Sequence, residues 1–209
     1  MKNLELHSRV LGPVRTNCYF LFNKTTRELL IVDPADEPEE IFRKIDALQG
    51  TPAGILLTHG HFDHISAANA LREKYHIAIY ACSWEKEMLE DPGFNLSLYQ
   101  GRPVSVKADR YLEDLEVFEA AGFTLQMLHT PGHTEGSCCY HIAEEGVLMS
   151  GDTLFCGSCG RTDLPGGNST QMRLSLRRLL TSLPDETEVF PGHESFTSID
   201  QEKRYNPFV

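Results

Sequence analysis

Between positions 59 and 64 the chain reads His-Gly-His-Phe-Asp-His, which sets three imidazoles and a carboxylate side by side. Imidazole nitrogen and carboxylate oxygen are the ordinary ligands of zinc and of similar metals. Unliganded imidazoles crowded this closely would lose hydration with nothing to replace it. One loop cannot complete a metal site alone, and His133, Asp152 and His193 are the candidates to finish it. Each stands next to a glycine and follows a short apolar run. Taken singly, a histidine such as His133 is an ordinary polar residue, and an aspartate such as Asp152 is an ordinary turn or cap residue. Beside the 59–64 cluster they read as parts of one centre. The set His59, His61, Asp63, His64, His133, Asp152 and His193 exceeds what one tetrahedral ion takes, so two divalent ions per chain are expected. Zinc fits these donors best, and iron or manganese would accept them too.

The elements that must position these residues recur along the chain. Gly54–Leu57 leads into Thr58-His59, Phe123–Leu128 into the loop of His133, Val147–Met149 into Asp152, and Glu188–Phe190 into His193. Leu29–Val32, ending at Asp33, has the same form. Each run has strand length and is closed by turn-forming residues. Helices are expected between them. Pro38 suits a first turn with Ile41, Ile45 and Leu48 at helical spacing, Ile65–Tyr75 is rich in helix formers, and Ser169 is placed to cap a helix that carries Met172, Leu176, Leu179 and Leu183. Cys138–Ile142 and Val147–Met149 read as a hairpin. Strands alternating with helices imply a layered α/β fold with its site at the carboxyl ends of strands.

No low-complexity or linker-like stretch interrupts residues 1–209, so one domain is expected. The 19 basic and 30 acidic residues leave a net charge of −11, which argues against nucleic acid and against an anionic membrane surface as partners. No segment has the form of a signal peptide or a membrane span, which points to the cytoplasm. Six cysteines in such a chain are expected to be free thiols, the Cys156–Cys159 pair included. His7, His76, His129 and His141 have no context that marks them as ligands.

The motifs Thr58–His64, Thr130–Thr134, Ser150–Leu154 and Pro191–His193, with Thr16–Leu21 and Ile31–Pro34 before them, resemble the metallo-β-lactamase superfamily over essentially the whole chain. Gly151–Phe155, Gly160–Asp163 and the Asn206-Pro207-Phe208 ending are similar to the glyoxalase II-like (hydroxyacylglutathione hydrolase-like) members, in their short form without the C-terminal helical domain. The resemblance implies a four-layer αββα sandwich of two mixed β-sheets with metals at one edge. It also implies a division of the ligands: His59, His61 and His133 for one ion, Asp63, His64 and His193 for the other, Asp152 between them. One departure stands out. Glu194 follows His193 where many relatives have glycine, and it would either reach the second ion's surroundings or shape the pocket.

The expected activity is hydrolysis of a small-molecule thioester of the S-2-hydroxyacylglutathione type by metal-bound hydroxide, with Asp63 and Asp152 as the catalytic carboxylates. Arg161 is the candidate to grip a substrate carboxylate, with an ion pair to Asp163 as the alternative. The rival enzyme is a persulfide dioxygenase with one iron on His59, His133 and Asp152. A non-catalytic metal-binding protein is the third reading.

Overall fold

The structure is a computed structural model and describes residues 2–209. Its first sheet runs in spatial order from β1 (Leu4–Leu11) through β2 (Thr16–Asn23), β3 (Glu28–Val32), β4 (Thr51–Leu56) and β5 (Ala78–Cys82) to β6 (Arg110–Leu112). The first three strands are antiparallel, and β3 to β6 are parallel. The second sheet contains β7 (Val117–Ala120), β8 (Phe123–His129), β9 (Cys138–Ile142), β10 (Val147–Gly151), β13 (Glu188–Pro191) and β14 (Thr197–Ser198), in the order β14-β13-β10-β9-β8-β7. A two-stranded ribbon, β11 (Leu154–Phe155) with β12 (Ser158–Cys159), follows β10. The helices are α1 (Pro38–Leu48), α2 (Phe62–Ile65), α3 (Ala68–Tyr75), α4 (Lys86–Glu90), α5 (Ser169–Ser182) and α6 (Ile199–Tyr205).

Side chains alternate across each strand, and here both faces are covered. In β3, Leu29 and Ile31 pack with α1 and α3, while Leu30 and Val32 face the second sheet. In β9 and β10, Tyr140 and Met149 face the first sheet, and Cys139 and Leu148 pack under α5. Two mixed sheets face to face with helices outside are the expected αββα sandwich. The run of apolar residues without polar alternation in β3 is the sequence trace of that double burial.

Local chemistry explains the helix boundaries. Pro38 occupies the first turn of α1 as expected. The cap of α5 is Asn168 and not Ser169, because the Asn168 side chain accepts from the Thr170 and Gln171 amides. A cap of this kind contributes about 1 kcal/mol. The stretch expected to be one helix from Ile65 to Tyr75 is split. Phe62–Ile65 makes one turn, and the longer helix starts at Ala68. That first turn carries Asp63 and His64. Among the described residues no helix is long and apolar enough to cross a membrane, and all six cysteines are free.

Candidate metal centre

Five chain segments from both sheets meet at one edge of the sandwich. Asp33 follows β3, His59 and His61 follow β4, His133 follows β8, Asp152 follows β10, and His193 follows β13. All seven residues singled out in the sequence come together there. His59, His61 and His133 offer ligand atoms that all lie within 4.8 Å of one another, as do Asp63, His64 and His193. A third group of the same tightness, His59, His64 and Asp152, links the two. Asp152 stands between the halves: its oxygens lie 3.5 Å from His64 Nε2, 3.5 Å from His133 Nε2 and 3.5 Å from His193 Nε2.

The neighbours of these groups fix their orientation. His133 Nδ1 donates to the Arg161 carbonyl at 2.7 Å, which leaves Nε2 free to ligate. Asp33, buried after β3, receives the Thr58 amide on Oδ1 at 2.8 Å and the Thr58 hydroxyl on Oδ2 at 2.6 Å, and Oδ2 also lies 2.9 Å from His64 Nδ1. Thr16 donates to Asp63 Oδ2 at 2.8 Å. The His193 loop is clasped from the first sheet, where the Tyr19 hydroxyl and Asn17 Nδ2 both donate to the Pro191 carbonyl. Gly192 is required by close approach, since a Cβ there would lie 2.3 Å from Asp152 Oδ1 and 2.7 Å from His64 Cε1.

The two halves differ in charge. Burial, and then the neighbouring imidazoles, push His59 far down, and burial with His133 brings His61 to about 3. Burial would lower His64 too, but Asp63, Asp152 and Asp33 outweigh it and raise it to about 9. His193 rises to about 10 against its burial, through Asp152 and Asp63. Asp63 falls well below the carboxylate range, because His64, His193 and Thr16 overcome the penalty of burial.

A metal fits this donor set. His59 Nε2, His61 Nε2, His64 Nε2 and Asp152 Oδ1 are buried and have no hydrogen-bond partner. Orphaned polar atoms at this density are costly in a folded protein, and cations held between them would remove the cost. Beside them His61, Asp63, His133, Asp152 and His193 line a cavity of ≈ 970 Å³ whose wall also includes Val10, Val14, Asn17, Leu96, Phe155 and Arg161.

Glu194 lines this cavity and stands outside all three ligand groups, so the pocket-shaping alternative is the one its position favours. Its φ of 65° lies in the left-handed region, where glycine is at ease and glutamate is not. The Arg161 guanidinium is engaged by both oxygens of Asp163 at 2.7 Å, with both side chains exposed. The remaining histidines lie elsewhere: His7 pairs with Glu5, His76 ends α3, His129 stacks on Trp84 and His141 is buried in β9. Sequence reasoning missed the roles of Thr16, Asn17 and Tyr19. It marked the strand end at Asp33 without assigning it a task.

Fold and site together define a metallo-hydrolase, and the chain belongs to the metallo-beta-lactamase superfamily, whose family model matches residues 11–193. It is 40% identical over 201 residues to a probable metallo-hydrolase, YqgX, of Bacillus subtilis, with 95% of this chain and 94% of that one covered. It is 34% identical over 199 residues to the hydroxyacylglutathione hydrolase GloC of Haemophilus influenzae, with 92% of each covered. Among solved structures, the BLEG-1 B3 metallo-beta-lactamase superposes with a TM-score of 0.92 at 41% identity, covering 98% of this chain and 99% of that one. TTHA1623 in a di-iron-bound form gives 0.86 at 34% identity, covering 97% and 100%. ETHE1 from Myxococcus xanthus gives 0.76 at 30% identity, covering 97% and 83%.

Proposed function

We propose that the protein is a binuclear metal-dependent hydrolase that cleaves a thioester of the S-2-hydroxyacylglutathione type. The observation that carries the reading is the convergence of seven ligand side chains, four of their buried atoms unpartnered, beside one large cavity that His61, Asp63, His133, Asp152 and His193 line. Two divalent ions bound there, zinc or iron, would supply Lewis acidity toward the carbonyl and a nucleophile at neutral pH. Similarity to a hydroxyacylglutathione hydrolase supports the thioester, and similarity to a di-iron-bound structure supports two ions.

The chain's own residues supply position. Thr16 fixes the carboxylate of Asp63 beside the site of attack. The Arg161 carbonyl fixes the tautomer of His133. Val10, Val14, Leu96 and Phe155 line the cavity with apolar surface, and its size suits a ligand of roughly the 300–1,000 Å³ class. A thiolate leaves readily, so no strong general acid is demanded. Arg161 is exposed and able to exchange Asp163 for a substrate carboxylate. Nucleic acid and membrane are no part of this reading, and the net charge of −11 supports leaving them out.

Turnover of S-D-lactoylglutathione by protein reconstituted separately with zinc and with iron tests the proposal. Rapid hydrolysis near two metals per chain is expected. Absence of hydrolysis with both metals, joined to oxygen consumption with glutathione persulfide, would replace it with the single-iron dioxygenase on His59, His133 and Asp152.

A further inference from the structure

The three imidazoles of the first group come from two loops on different sheets. His59 and His61 follow β4 of the first, and His133 follows β8 of the second. At their bases the loops are joined by the Cys138 amide, which donates to the Thr58 carbonyl at 2.9 Å, and at their tips by the contact between the rings themselves, His61 Nδ1 to His133 Nε2 at 2.9 Å. A metal-binding geometry needs something else to hold them in register.

Glu85 occupies the place from which both loops can be held. It ends a 3₁₀ turn, Ser83–Glu85, before α4, and it is only 2% exposed. Its Oε1 accepts the amide of Gly60, the residue between His59 and His61, at 2.7 Å. Its Oε2 accepts the hydroxyl of Thr134, the residue after His133, at 3.1 Å. One carboxylate therefore bridges the two loops with both oxygens used. The loops are shaped to admit it. A Cβ on Gly136 would lie 2.4 Å from Glu85 Oε2, and a Cβ on Gly60 would lie 2.9 Å from Met88 Cγ.

A buried carboxylate is expensive unless fully hydrogen-bonded, and a fully bonded one rigidifies what it touches. Among the described residues the side-chain hydrogen bonds of Glu85 go to no ligand side chain, and to neither α2 nor the Pro191–His193 loop. The second group has other supports, Asp33 on His64 and Thr16 on Asp63.

We infer that Glu85 is a positioning residue for the first ion, tying the His59–His61 loop to the His133 loop, and that it serves this half of the centre and not the other. The inference rests on the reading that the two groups hold metal.

The test is stepwise zinc binding to wild type and to Glu85→Gln by chelator competition, with site occupancy read from anomalous scattering of crystals grown at limiting zinc. Glutamine keeps the size but loses one acceptor oxygen. One binding step should weaken by about 10- to 100-fold, with zinc lost at His59, His61 and His133 and kept at Asp63, His64 and His193. Equal affinity for both ions in the variant, or equal weakening of both steps, would overturn the inference while leaving the metal reading intact. A wild-type protein that binds no metal would overturn that reading and the inference with it. Thr134→Val removes one donor and keeps the shape. It should show the same selective loss to a smaller extent, and it decides the question if Glu85→Gln does not fold.

Discussion

His59, His61 and His133 meet as a cluster of imidazoles with one carboxylate, Asp152, 3.5 Å from His133, whereas Asp63, His64 and His193 meet as ion pairs around the carboxylates of Asp63 and Asp152. The first group is almost wholly buried. His59 is 1% exposed, His61 3% and His133 3%. Like neighbours and burial keep His59 and His61 neutral, and their Nε2 atoms stay without partners. In the second group protons can do part of a cation's work, because His64 and His193 are raised by the carboxylates they face. One half is thus held open by scaffolding that lies outside it, and the other is held partly by its own charges. If both groups hold metal, the two ions are bound by opposite electrostatic logic, one half being poor in negative charge and the other rich in it.

The largest break in that arrangement is expected at Asp152, which faces both halves. Asp152→Ala should reduce thioester hydrolysis on the order of 10³-fold, the scale of losing a principal electrostatic element of a site. Metal analysis and single-turnover rates check it. A variant that keeps both ions and near-normal turnover would sink the ligand assignment. A smaller effect, greater at one half than at the other, is expected from Asp33→Asn, which weakens the support of His64 directly and that of His59 through the Thr58 hydroxyl, 3.1 Å from His59 Nδ1. Zinc affinity should fall about 10- to 100-fold at the Asp63/His64/His193 half, where the contact is direct, and by less at the other. The loss should mirror that of the Glu85 variant, and if Asp33→Asn empties the His59/His61/His133 half instead, the division of supports is wrong.

The difference between the halves also bears on what could be read from the chain. All seven clustered residues were legible because a histidine-rich hexapeptide is hard to explain without a metal, and because His133, Asp152 and His193 each end an apolar run. The double burial of β3 was legible for a similar reason, as four consecutive apolar residues. Asp33 was visible as a strand end, but its task depends on His64 lying 31 residues away. Glu85 gave no signal, since its partners Gly60 and Thr134 are 25 and 49 residues distant, and a glutamate before a helix looks like a solvated charge. The break between α2 and α3 was also missed. Helix propensity runs through it, whereas the Ser66 hydroxyl donates to the Phe62 carbonyl at 2.6 Å and the chain turns there.

Titration sharpens the comparison further. His64 and His193 have folded-state values of about 9 and about 10, above the ordinary 6.5. In metal-free protein their contribution to stability is therefore fully present below pH 6.5 and is lost as pH rises through 9 to 10. Thermal unfolding of metal-free protein should show a melting temperature that declines over that range. Protons also compete with metal at this half, so its zinc affinity should rise with pH over the same window. His59 and His61 sit far below neutrality and burial raises Glu85 only to about 7, so the first half should bind with little pH dependence between about pH 9 and 10. Chelator-buffered titrations at two pH values separate the cases, and equal slopes for the two steps would contradict the electrostatic contrast.

The smallest effect on the metal centre is expected at Arg161, because its two ends serve different purposes. The backbone carbonyl orients His133, and the guanidinium lies outside, on Asp163. Arg161→Ala keeps the carbonyl, so metal content and the pH behaviour of both halves should stay as in wild type. If the guanidinium receives a substrate carboxylate, KM should rise about 10-fold, the scale of one charged hydrogen-bonded contact, with kcat little changed. An unchanged KM would assign the side chain to its ion pair alone, and a loss of zinc would mean that the Asp163 pair is needed to hold the His133 loop in place.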